Sequence, residues 1–267
     1  MKEGIEELSN AVIVEFRDRL PQYAAETLQA VHRGSGTVEA AAMLLQYLVL
    51  EEFRFDSGSV ASSFWRELRE SRHPLAWLPL GISEIEAWAG LSPGAFRQSA
   101  AQRFDVKDDA TEIPAAMLRS RMDDAFTHWT QRSNGQVEAR EFLIRSDVTL
   151  RECVGACVQR SLNCSAASID AVEAGHGFFN LSQFIRADGA YTSHRNAARA
   201  RLQTWRLVQA ALNCPPEASV DEIDEAARKA MWYVFTCDWF CDVAWDCGVA
   251  LVRPDHHAVV LAATDTD

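Results

Sequence analysis

The stretch that most limits what this chain can fold into lies near its end. Ala230–Val252 is the closest approach to a charge-free run, and it contains "CDWFCDVAWDC" from Cys237 to Cys247. Its charges are three Asp spaced by four: Asp238, Asp242 and Asp246. Each would cost about 2.5–3.5 kcal/mol at the centre of a bilayer helix, so the run does not read as a membrane span. At the helical period the three Asp fall within about 80° of one another, and Asp224 and Arg228 extend the same line. Trp232, Val234, Phe235, Trp239, Val243 and Trp245 cover much of the rest. The pattern predicts one core helix over 220–247, opened by a capping box of Ser219 and Glu222.

An Asp stripe on a helix raises the question of a metal. Carboxylates one turn apart can share Mg²⁺, provided a second acidic set faces them. The available partners, Asp123–Asp124 and Asp105–Asp109, do not repeat the spacing. The preceding helix, predicted over 193–213, carries Arg195, Arg199 and Arg206 close together on one line. The short "CPPEA" connection makes the two helices antiparallel neighbours, with Arg195 level with Asp238. Mutual neutralisation of the Arg and Asp stripes is therefore the expectation.

The cysteines pose a parallel question. Cys153 and Cys157, and Cys237 and Cys241, form two C-x-x-x-C pairs that could face each other and hold Zn²⁺ or Cu⁺ through four thiolates. Free Cys is also a small hydrophobe, so burial of reduced thiols is the competing expectation. Glu70–His73 and Glu173–His176 match the E-x-x-H of di-iron bundles, with Glu51 or Glu52 and Asp123 or Asp124 as further carboxylates. Pro74 follows one motif directly, and Gly175 and Gly177 flank the His of the other, so neither sits in a firm helix. His256–His257 reads as an exposed turn. "HRGSGT" lacks the Lys of a phosphate-binding loop.

Elsewhere helical periodicity dominates. Helices are predicted over 4–18, 22–32, 37–55, 59–71, 114–132, 146–163, 165–175 and 181–186, with Pro-broken pieces over 73–94 that hold Trp65, Trp77 and Trp88 in or beside them. "HHAVVLAAT" reads as a short strand. The fold class expected is all-α: an irregular bundle of about nine or ten helices with a short C-terminal β strand or hairpin. It is read as a single helical domain over 1–267, divisible into subdomains near 104–114.

With 48% apolar and 24% charged residues the composition is that of an ordinary globular protein. The net charge of −12 disfavours nucleic acid and anionic membranes as partners. The 26 basic residues include only Lys2, Lys107 and Lys229 as lysines, which points to a GC-rich, bacterial genome. No secretory signal is visible, and the seven Cys include no C-x-x-C, so reduced thiols in a cytoplasm are expected. The leading functional expectation is a non-catalytic cytoplasmic binding protein: an adaptor, chaperone-like component or inhibitor of a basic protein partner. No cofactor is expected on this reading. The alternatives are a metal-dependent helical enzyme, with carboxylate-bound Mg or di-iron, and a thiolate metal-binding protein. The metal candidates are Asp238, Asp242, Asp246, Cys153, Cys157, Cys237 and Cys241.

Overall fold

A computed structural model describes residues 38–87, 99–104, 110–145, 149–187, 189, 197–241 and 245–266. The helices predicted over 4–18 and 22–32, and Arg195, Asp105–Asp109, Asp242 and Trp88, lie outside them. The chain divides into two compact units, one of Met1–Ser83 with Asn196–Leu202, the other of Glu84–Arg195 with Gln203–Asp267.

In the first unit, α1 (Val38–Leu50) is the "AAAMLLQYLVL" helix, burying Ala41, Met43, Leu45 and Leu48. Ser59 caps α2 (Val60–Glu70) by accepting the Ser62 N–H. Pro74 opens a 3₁₀ turn, Pro74–Trp77, because a first-turn proline gives up no helical hydrogen bond. Here His73 contacts Glu39 at 2.9 Å, and Arg199 pairs with the same carboxylate at 3.1 Å.

The second unit is not a helical bundle. It is built on a six-stranded, wholly antiparallel sheet of order β1-β2-β6-β5-β4-β3. The strands are β1 (Ala110–Ile113), β2 (Gln136–Ile144), β3 (Ala167–Val172), β4 (Met231–Cys237), β5 (Asp246–Val252) and β6 (His257–Thr264). Among the described residues this unit's helices are α3 (Ala116–Ala125), α4 (Thr127–Arg132), α5 (Leu150–Leu162), α6 (Ala174–Ala187) and α8 (Val220–Lys229), together with part of α7 (Ala197–Ala211). The expected all-α class and helical-bundle architecture are therefore wrong, and the protein is mixed α/β.

The error has a physical cause. Helix α8 starts at the expected capping box but ends at Lys229. From Met231 the chain becomes "MWYVFTC", β-branched and aromatic, and pairs with β3 and β5. Both faces of this sheet are covered, so β5 and β6 are buried at nearly every position and show no alternation. Such runs carry neither the helical nor the strand period clearly. The predicted helix over 165–175 is in fact β3, which follows Asn163 in the left-handed conformation that closes α5. The expected helix hairpin carrying the Arg and Asp stripes cannot form, because its second half is strand.

Period-two geometry sorts the core. Tyr233 and Phe235 of β4 join Phe142, Val260 and Val252 in the cluster beneath α5. Trp232 faces the other way, against α6, where a Cβ added at Gly177 would lie 2.3 Å from its ring. The glycine at 177 is what lets α6 lie flush on β4. On that side Trp205 of α7 stacks against Phe178 at 4.7 Å between ring centroids. At the β5–β6 turn, buried Arg253 pairs with Glu141 at 2.7 Å and Asp255 at 3.1 Å and donates to the Ala211 carbonyl. His257 is not in an exposed turn: its Nδ1 contacts Glu141 at 2.9 Å, while His256 occupies the turn with φ 63°.

Candidate functional site

A cleft of about 440 Å³ opens where the ends of β3 and α8 meet the starts of α6 and β4. Its lining combines Val172, Met231, Trp232 and Ile85 with Glu84, Glu173 and Arg228. Each wall is held by specific bonds. The Ile85 N–H donates to buried Asp224 at 3.0 Å, which fixes the segment before α3 against α8. Trp205 Nε1 donates to Glu86 at 2.9 Å and holds the same segment from α7. Arg228 donates through Nε to Asp224 at 2.8 Å and pairs with Glu84 at 3.2 Å. Those bonds, the one to Asp224 first, hold the guanidinium above its usual value. Trp232 forms the floor, its Nε1 donating to the Ala227 carbonyl at 2.8 Å. The arrangement is an apolar floor with two exposed carboxylates on the rim, and a guanidinium already engaged by acids. An incoming cationic group on an aliphatic stem would lay its stem on the floor and meet Glu173, and would compete with Arg228 for Glu84.

The metal candidates are dispersed. Cys153 and Cys157 are buried in α5 against the sheet, and burial pushes the Cys157 thiol up to about 12. Asp246 begins β5 and accepts the Thr264 hydroxyl at 2.5 Å. Cys241 is exposed, with its N–H on Thr264 Oγ1. Cys237 ends β4, and Asp238 follows it in a turn. These two are brought together not with the other candidates but with Cys164, in the loop before β3. Cys164 was missed because its place depends on the β3–β4 register, Ala167 opposite Cys237. A strand reading of "ASIDAV" would have supplied that signal. The Cys164 thiol donates to the Cys237 sulfur, which raises the first thiol and lowers the second. Asp238 is held below the ordinary carboxylate range, chiefly by the Ser165 hydroxyl at 2.6 Å.

The two E-x-x-H matches fall in the two separate units. In the first, His73 is engaged by Glu39; in the second, Glu173 precedes α6 and His176 lies in its first turn. Asp123 and Asp124 are exposed on α3, the latter 3.4 Å from Arg121.

Residues 21–267 match a family profile across most of the chain. The protein belongs to DUF6183, a family of unknown function. No curated protein and no solved structure matches the chain. Among the described residues no helix is long and apolar enough to cross a membrane.

Proposed function

We propose that this protein is a non-catalytic binding protein that engages a basic segment of a protein partner through the cleft beside Trp232. The observation that carries the reading is the pairing of two exposed rim carboxylates, Glu84 and Glu173, with an apolar floor. The chain's net charge of −12 acts in the same direction, since complementary fields speed encounter with basic partners. A cytoplasmic setting belongs to the same proposal and agrees with seven free cysteines, four of them buried.

Fluorescence anisotropy with a labelled Lys/Arg-rich peptide, beside an Asp/Glu-rich peptide of equal length, tests this. The basic peptide is expected to bind, more weakly as salt rises, and the acidic one not to bind. Glu84→Arg with Glu173→Arg is expected to lower affinity at least about tenfold, the equivalent of 1.4 kcal/mol. Equal affinity in the double variant, or preference for the acidic peptide, removes the cleft from the function. Unchanged urea unfolding of the variant establishes that the loss is local.

A further inference from the structure

The loop before β3 and the end of β4 with the turn after it place three ligands together: the thiols of Cys164 and Cys237 and the carboxylate of Asp238, with their ligand atoms all within 4.8 Å of one another. We propose that these three side chains form a binding site for a thiophilic divalent ion, Zn²⁺, with the fourth coordination position open to solvent. Tetrahedral Zn–S bonds of about 2.3 Å put ligand atoms about 3.8 Å apart, so the separations need close by no more than about 1 Å to surround an ion. Two sulfurs select a soft or borderline cation over Mg²⁺ or Ca²⁺.

The ligands are held from outside as metal ligands usually are. Ser165 donates both its N–H, at 3.2 Å, and its hydroxyl, at 2.6 Å, to the Asp238 carboxylate and aims it. The Cys164 loop is clamped by Gln159: its backbone carbonyl accepts the Cys164 N–H, and its side-chain amide donates to the Ser165 carbonyl at 2.8 Å. Cys237 is fixed by sheet register against Ala167. Burial is graded: Cys237 is buried, Cys164 half-buried and Asp238 exposed, which leaves an approach from solvent on the Asp238 side. The site lies at the opposite end of β3 and β4 from the Trp232 cleft, so it does not depend on the binding reading.

The test is metal content and affinity in full-length protein prepared without chelators or affinity tags. Native mass spectrometry is expected to find one Zn²⁺ per chain, and Cd²⁺ replacement to give an ultraviolet thiolate charge-transfer band. Cys164→Ser and Cys237→Ser should each lose the ion and the band, and Cys241→Ser should keep both. Ser165→Ala, which removes no ligand, should weaken Zn²⁺ binding about 10–100-fold. Circular dichroism identifies any variant that fails to fold, and Ser165→Ala, a surface change, then carries the decision. A chain that takes up no Zn²⁺ when titrated with the metal alone overturns the site. So does a chain two mass units light with Cys164 and Cys237 unreactive, which marks the pair as a disulfide. Retention of the ion in both Cys→Ser variants overturns it equally.

Discussion

Cys237 and Cys164 show how far a residue's chemistry is set by its neighbour. The two thiols share one hydrogen bond, so their ionisations move apart: Cys237, which accepts it, ionises below the usual thiol range, and Cys164, which donates it, above. In metal-free protein, alkylation of Cys237 is therefore expected to switch on at lower pH than that of Cys164. Peptide mapping of iodoacetamide adducts across pH reads this order directly, and the reverse order would make Cys237 the donor of the shared bond. In the same experiment exposed Cys241 should label early, and Cys157 and Cys247 only in denaturant, because burial both encloses these two thiols and pushes them up, whereas the shared bond lowers Cys237. The sequence marks Cys153, Cys157, Cys237 and Cys241 as cysteines at helical spacing. It does not say that Cys237 stands at a strand end, where its neighbour comes from 73 residues earlier in the chain.

At the scale of elements, the contact between α6 and β4 is one that a side chain at the glycine would disturb. Gly177 leaves room for the Trp232 ring, and a Cβ there would approach it to 2.3 Å. Gly177→Val is expected to destabilise by about 1–3 kcal/mol through overpacking, measured as a lower urea midpoint. A wild-type midpoint would show that α6 does not rest on β4. Much of the element structure was legible. The capping box at Ser219, the helix ending at Leu162 and the strand from His257 follow from local chemistry visible in sequence. The segment 114–132 has the expected helical pattern but breaks at Phe126, whose ring packs edge-on to Trp129 at 5.1 Å. That break comes from packing, for no Gly or Pro marks it.

At the scale of the whole molecule, the turn end of β5 and β6 is tied to β2 and α7 by a polar knot. Arg253, almost fully buried, is satisfied by Glu141 of β2, Asp255 of its own turn and the Ala211 carbonyl that ends α7. Arg253→Met leaves the Glu141 carboxylate, itself largely buried, with His257 as its only remaining partner among those described. The expected loss is about 3–5 kcal/mol, the usual cost of breaking one half of a buried pair. Glu141→Gln combined with Arg253→Met should recover part of it, and thermal unfolding of the three variants measures the coupling. Additive losses would mean that the pair is not a unit.

Local determinants in this chain are those in which the signal and the structure lie within a few residues of each other. Ser59 and Ser219 open helices by accepting the N–H groups of residues three positions on, and Asn163 closes one by adopting a left-handed backbone. The acidic balance is likewise a property of the sequence alone. The state of 231–252 is different. "MWYVFTC" and "CGVALV" are apolar on both faces, so they can be buried as helix or as strand, and their own period does not choose. The choice is made by partners far away in the chain, β3 for β4 and β6 for β5, each of which supplies backbone hydrogen bonds and one layer of side chains. The same long-range pairing places Cys164 beside Asp238 and opens the cleft over Trp232. Both candidate sites therefore follow from register between strands, which a single strand's sequence does not contain.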